Sequence, residues 1–144
     1  MLHKRTIHAL KALLELADQP LRWRSSTDLA AAQALPEALL EQVLLQLRRA
    51  GLLEARRGRL GGYRLSRSAN AIAVAEVVAL MEPPTSMAEL PSPASPSTRV
   101  TRALERRLYQ AVLRSLETVN LEDLLFDLRS AEAAGSEGGG LLLG

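Results

Sequence analysis

The chain has 144 residues, 47% of them apolar, a formal net charge of +2 and no cysteine. That length fits one ordinary domain with an appended helical element. The missing cysteines exclude disulfides, Cys-ligated zinc and Cys-ligated iron–sulfur clusters within it.

Leucine and alanine supply most of the apolar content and aromatics only 3%, which favours helices over a β-rich core. No apolar run approaches the roughly 18 residues of a membrane span. The chain opens on an amphipathic pattern rather than a leader, so the expectation is a cytoplasmic protein with no membrane partner. Charge is uneven. Residues 1–67 hold 12 Lys/Arg against 6 Asp/Glu, a balance of +6, whereas residues 68–144 hold 6 against 10, a balance of −4. A polyanionic partner would therefore meet the first half.

Leu2, Ile7, Leu10, Leu13, Leu14 and Leu16 fall mostly on one stripe, which predicts a helix over about 3–18, stopping before Gln19-Pro20. Ser25 or Ser26 can cap a second helix, with Asp28 in its first turn and Trp23 as a staple-like residue before the cap. Ala34-Leu35 makes a tight turn, where such motifs often carry glycine. Pro36 then opens a third helix running to about Ala50. Leu39, Leu40, Val43, Leu44 and Leu47 form its buried face, and Gly51 ends it as a left-handed cap.

Leu52–Arg57 and Gly62–Leu65 can pair as two strands around a Gly58–Gly61 tip. A fourth helix fits Val74 to about Met81. Residues 83–98 hold five prolines and four serines and read as a linker. A long helix follows from Ser97 or Thr98 to about Val119. Asn120 caps a last helix, and residues 135–144 read as a disordered tail. The organisation expected is a winged helix-turn-helix over 1–82, a linker over 83–98, a helical dimerisation arm over 99–134 and the tail. The fold class is mainly α, with a two-stranded β wing.

A helix-turn-helix beside a basic hairpin is suited to duplex DNA. The N-terminal part of the third helix, with Glu37, Ala38, Glu41 and Gln42, would reach base edges in the major groove, and Arg49 lies nearer the backbone. Arg56, Arg57, Arg59 and Arg64 of the hairpin can neutralise phosphates, and Arg59 at the tip can enter a minor groove. In the long helix Leu104, Leu108, Ala111, Val112 and Leu116 form an apolar stripe suited to a second copy. His3 and His8, five apart, do not share a face as metal ligands would. Neither a metal site nor a cofactor is expected, and no nucleophile–base set or phosphate loop marks an enzyme.

Two motifs carry a family resemblance. Leu39-Leu40-Glu41-Gln42-Val43-Leu44-Leu45-Gln46-Leu47-Arg48-Arg49-Ala50-Gly51-Leu52 resembles the YLEQLLxxLRxAGLV signature of the Rrf2/IscR/BadM-type transcription regulators. Arg57-Gly58-Arg59-Leu60-Gly61-Gly62-Tyr63-Arg64-Leu65 resembles that family's RGPGGGYRL wing. The resemblance implies a homodimeric repressor on a pseudo-palindromic operator, with Glu41 and Gln42 facing the major groove and Arg59 the minor groove. Leu39 replaces the usual tyrosine, and Arg59-Leu60 replace Pro-Gly. Many members hold an iron–sulfur cluster through three cysteines in the region of 83–98, which this chain lacks; some members lack cysteines and respond to a protein partner or to no known effector. The alternative is a winged-helix adaptor that binds protein instead of DNA, favoured if carboxylates of the C-terminal arm cover Arg57, Arg59 and Arg64.

Overall fold

Helix α1 (Lys4–Asp18) is the element against which most of the others pack. Its small and branched residues Ala9, Ala12, Leu13, Leu16 and Ala17 are all buried. They meet Leu40, Val43, Leu44 and Leu47 of α3 (Glu37–Arg49) in the same core. Each fully buried leucine stabilises this core by about 1.5–3 kcal/mol. The computed structural model describes residues 2–84 and 94–136. Among the described residues no helix is long and apolar enough to cross a membrane.

Between α1 and α3 lies α2 (Ser26–Gln33), capped by the Ser25 hydroxyl, which accepts the Asp28 N–H at 3.1 Å. The turn to α3 is tight because Ala34 adopts a left-handed conformation, φ 52° and ψ 48°. This lets the Leu35 N–H reach the Ala30 carbonyl at 2.9 Å. Helix α3 ends in the same way. Gly51 has φ 82°, and the Leu52 N–H returns to the Leu47 carbonyl at 3.0 Å.

Strands β1 (Leu53–Arg56) and β2 (Gly62–Leu65) pair antiparallel from Leu53↔Leu65 to Arg56↔Gly62. The first strand is shorter than the sequence suggested because the Leu52 amide serves the α3 cap. A 3-10 turn (Ala69–Ala71) leads into α4 (Val74–Met81). Glu76 accepts the Ala73 N–H at 3.2 Å and pairs with Arg67 at 2.9 Å. The Arg67 hydrogen bond holds the Glu76 carboxyl below its usual range, against a smaller opposing effect of burial.

Helix α5 (Pro96–Leu116) begins with Ser95 as cap and Pro96 in its first turn, slightly earlier than Ser97 or Thr98. It stops short of Val119 because the next residues are recruited elsewhere. The Val74 N–H donates to the Val119 carbonyl at 2.8 Å, and the Leu121 N–H donates to the Ile72 carbonyl at 3.0 Å. Asn120 and Asp123 then cap α6 (Leu121–Ser136) reciprocally. Helix α6 turns back along α1, with Leu121 and Leu125 buried in the core and Arg129 paired to Asp18 at 3.2 Å. It therefore completes the globular body instead of prolonging α5. Gly135 and Ser136, expected to begin a tail, close α6. Residues 85–93 of the expected linker and 137–144 of the tail lie outside the described residues.

An L-residue in the left-handed region costs roughly 1–2 kcal/mol, part of which a glycine returns to the unfolded chain as entropy. Ala34→Gly is therefore expected to raise stability by about 0.5–1 kcal/mol. Urea denaturation would register this as a higher midpoint at unchanged slope, and a lower midpoint would contradict the account of the turn.

Candidate nucleic-acid interface

The wing is built from three pieces of chain. Beyond the β1–β2 ladder, Arg24 pairs with Tyr63: the Arg24 N–H donates to the Tyr63 carbonyl at 2.9 Å, and the Tyr63 N–H returns to the Arg24 carbonyl at 2.7 Å. Gly62 permits this approach. It has φ 140°, and a Cβ there would overlap the Arg24 backbone. Next to that rung, the half-buried Trp23 ring carries two guanidinium groups, Arg64 at 4.2 Å and Arg56 at 4.8 Å from its centroid. The base of the assembly is tied to α1 through Glu15, which accepts from Arg24 at 3.3 Å and from Gln33.

This arrangement divides the four wing arginines. Arg64 also pairs with Glu54 on the neighbouring strand, so its charge is largely spent within the hairpin. Arg56 is exposed but anchored; besides the tryptophan it donates to the Leu60 carbonyl at 2.9 Å. Arg57 and Arg59 are exposed and have no ion pair among the described residues. None of the described α5 or α6 carboxylates is ion-paired with a wing arginine: Glu105 pairs with Arg102 of its own helix, and α6 contributes an arginine, Arg129, to a pair with Asp18 of α1. Among the described residues, the ion pairs that would cover the wing and favour an adaptor are not seen.

On α3, Glu37, Ala38, Glu41, Gln42 and Arg49 are all exposed. The two acids are engaged with the start of α2. Glu37 accepts from the Thr27 hydroxyl at 2.7 Å and Glu41 from the Ser26 hydroxyl at 3.3 Å. These carboxylates thus stand at the positive end of the α2 dipole and hold the two helices in register. Gln42 and Arg49 line a shallow groove with Leu45, Gln46 and Arg5. Arg5, which sequence reasoning did not single out, is aimed there by its hydrogen bond to Gln46 at 2.7 Å, and Gln46 is in turn fixed on the Leu80 carbonyl at 3.0 Å. A residue of α1 reaches this groove only through the helix crossing, which no local motif announces. Trp23, expected to staple α2, instead stacks on the wing.

The stripe on α5 is outward-facing. Leu104, Leu108 and Val112 are 53%, 59% and 43% exposed, Ala111 is exposed and Leu116 is half-buried. One side of α5 leans on α4, where Tyr109 and Val112 line an open cleft with Val78 and Glu82. Burial there, with Glu82 nearby, raises the Tyr109 phenol above its ordinary value.

Comparison with known proteins agrees with this architecture. The family model Rrf2, described as an iron-dependent transcriptional regulator, matches residues 2–127. The chain is 35% identical over 136 residues to slr0846 of Synechocystis, named as an HTH-type transcriptional regulator, covering 91% of each chain. It is 33% identical over 118 residues to the HTH-type transcriptional regulator CymR of Bacillus subtilis, covering 81% of this chain and 83% of that one. Among solved structures, B. subtilis CymR, described as a global cysteine regulator, superposes with TM-score 0.67 at 31% identity over 87% of this chain and 95% of its own. T. potens IscR superposes with TM-score 0.71 at 27% identity over 91% and 90%. The family description refers to iron, but thiolate ligation needs cysteine and the sequence has none. Nor do three His, Asp or Glu side chains gather as a metal set among the described residues. The residues present do not fit a resident iron centre. The helix-turn-helix, the pinned wing and these matches together place the chain in the Rrf2 family, as a winged-helix, DNA-binding transcription regulator and not an enzyme.

Proposed function

We propose that this chain binds a pseudo-palindromic operator as a homodimer, with one winged helix on each half-site. The observation that carries the reading is the pair of exposed cations, Arg57 and Arg59, without an ion pair among the described residues, on a hairpin hydrogen-bonded to the segment that opens the helix-turn-helix. In this reading the exposed face of α3, with Ala38, Gln42 and Arg49, lies along the major groove, and Arg59 enters the adjacent minor groove. Glu37 and Glu41 face the groove while holding α2. Arg56 sets the tip and Arg64 the hairpin, so the phosphate contacts fall mainly to Arg57 and Arg49, while Arg59 acts from within the groove. The DNA-binding unit is 1–82 completed by α6, the residues from 83 to 95 connect it to α5, and α5 supplies the dimer contact; residues beyond Ser136 have no part in this scheme. Repression follows from occlusion, because a bound dimer covers the duplex it reads. An effector or protein partner is left to the surfaces away from DNA.

The stripe of Leu104, Leu108, Ala111, Val112 and Leu116 supports the dimer. Helix α5 would span roughly 30 Å, and among its described residues none is buried. A monomer would leave that face in water, whereas a second copy removes it at about 25 cal/mol for each Å² covered.

Two outcomes test this reading. In mobility shifts, log affinity is expected to fall linearly with log salt, and Arg59→Ala to reduce the slope by about 0.9, because a guanidinium seated in the groove also releases about one condensed counterion. Gln42→Ala should lower discrimination between duplexes while keeping the slope; a flat salt response would rule the mechanism out. Separately, Leu108→Asp should convert a dimer into a folded monomer by light scattering at micromolar concentration, and an unaltered chain that is already monomeric there would refute the interface.

A further inference from the structure

The wing tip carries a second feature next to Arg59. Leu60 is 82% exposed. One exposed leucine is ordinary on a protein surface, but this one stands on backbone that is fixed from several sides. The Gly61 N–H closes the turn on the Gly58 carbonyl at 3.1 Å. The Leu60 carbonyl itself accepts from Arg56 at 2.9 Å, and Arg56 rests on Trp23. Gly61 lies so close to the Arg56 carbonyl that a Cβ there would overlap it, and Gly58 has φ 105°. The tip is therefore a tight loop of glycines presenting two side chains outward, one cationic and one aliphatic.

The chemistry of that pair is selective. The minor groove offers acceptors at every base pair, and a G·C pair adds the donor 2-amino group of guanine. Arginine has donors only, so Arg59 can satisfy the acceptors. Neither Arg59 nor the isobutyl group of Leu60 has an acceptor for the 2-amino group. Buried beneath Leu60, that donor would lose its water and gain no partner. Apolar side chains are established occupants of minor grooves, where leucine also wedges against base steps.

We propose that Leu60 is a specificity-determining residue of the wing: seated beside Arg59, it excludes base pairs that carry a minor-groove 2-amino group and so confines the wing to A·T pairs. This inference rests on the DNA-binding reading above and deepens it.

The test uses the full chain and duplexes recovered by it from a random-sequence pool. Replacing adenine by 2,6-diaminopurine adds the 2-amino group to an A·T pair and leaves the major-groove face unchanged; inosine for guanine removes it. Diaminopurine scanned through the recovered site should weaken the unaltered chain about tenfold at the wing positions, the scale of one unfavourable base pair. Inosine at a flanking G·C pair introduced there should restore binding. Leu60→Ala, at an exposed position that the fold does not need, should shrink the diaminopurine penalty to about twofold or less while keeping the salt slope, whereas Arg59→Ala lowers the slope. A tenfold penalty retained in Leu60→Ala, or no penalty in the unaltered chain, overturns the role of Leu60 and leaves DNA binding intact. Recovery of no duplex above background instead brings down the DNA-binding reading and this inference with it.

Discussion

The placement of the wing depends on one short rung of backbone, the pair of hydrogen bonds between Arg24 and Tyr63. An isolated two-stranded hairpin is marginal in water. Here the segment before α2 acts as a third strand of one residue, and the Trp23 ring clamps Arg56 and Arg64 over it. Because α2 begins two residues later, the rung joins the hairpin directly to the helix-turn-helix. Gly62 makes the contact possible, since any side chain there would strike the Arg24 backbone.

That constraint sorts the charges by task. Arg24 and Arg64 are committed to Glu15 and Glu54, and Arg67 to Glu76, so they build the scaffold. The more exposed pairs, Arg64–Glu54 and Arg67–Glu76, add little stability, on the order of 0–1 kcal/mol each; their value, like that of the more buried Arg24–Glu15 pair, is in fixing geometry. Arg57 and Arg59 have no ion pair among the described residues. A basic count over the first half of the chain does not separate these groups, because it cannot see that some arginines face a carboxylate across a strand or an aromatic ring from another segment.

Much of the fold is legible in the residues. Helical periodicity places α1, α3 and α4. Ser25, Gly51 and Asn120 mark caps that the structure bears out. What is not legible comes from long-range contacts. Val119 looks helical by pattern, yet its carbonyl is taken by Val74. Leu121 and Leu125 could as well have belonged to an extended arm; only the groove along α1 draws them into the core. At the candidate interface, the wing arginines are visible in sequence, but their division into anchors and free cations is not, and neither is the approach of Arg5 to α3. Ala34 departs from the usual glycine, and the turn forms regardless because the α2 cap and the Thr27–Glu37 and Ser26–Glu41 contacts hold it.

Trp23 and the Arg24–Tyr63 rung together hold the wing rigid, and amide hydrogen exchange of Trp23→Ala tests this most directly. Removing two guanidinium stacks at about 0.5–1 kcal/mol each predicts roughly tenfold faster exchange at Gly61 and Tyr63. Core amides such as those of Leu13 and Val43 should exchange as before. Unchanged exchange at Gly61 and Tyr63 would show that the wing is held by something other than the tryptophan clamp, and the account would fail.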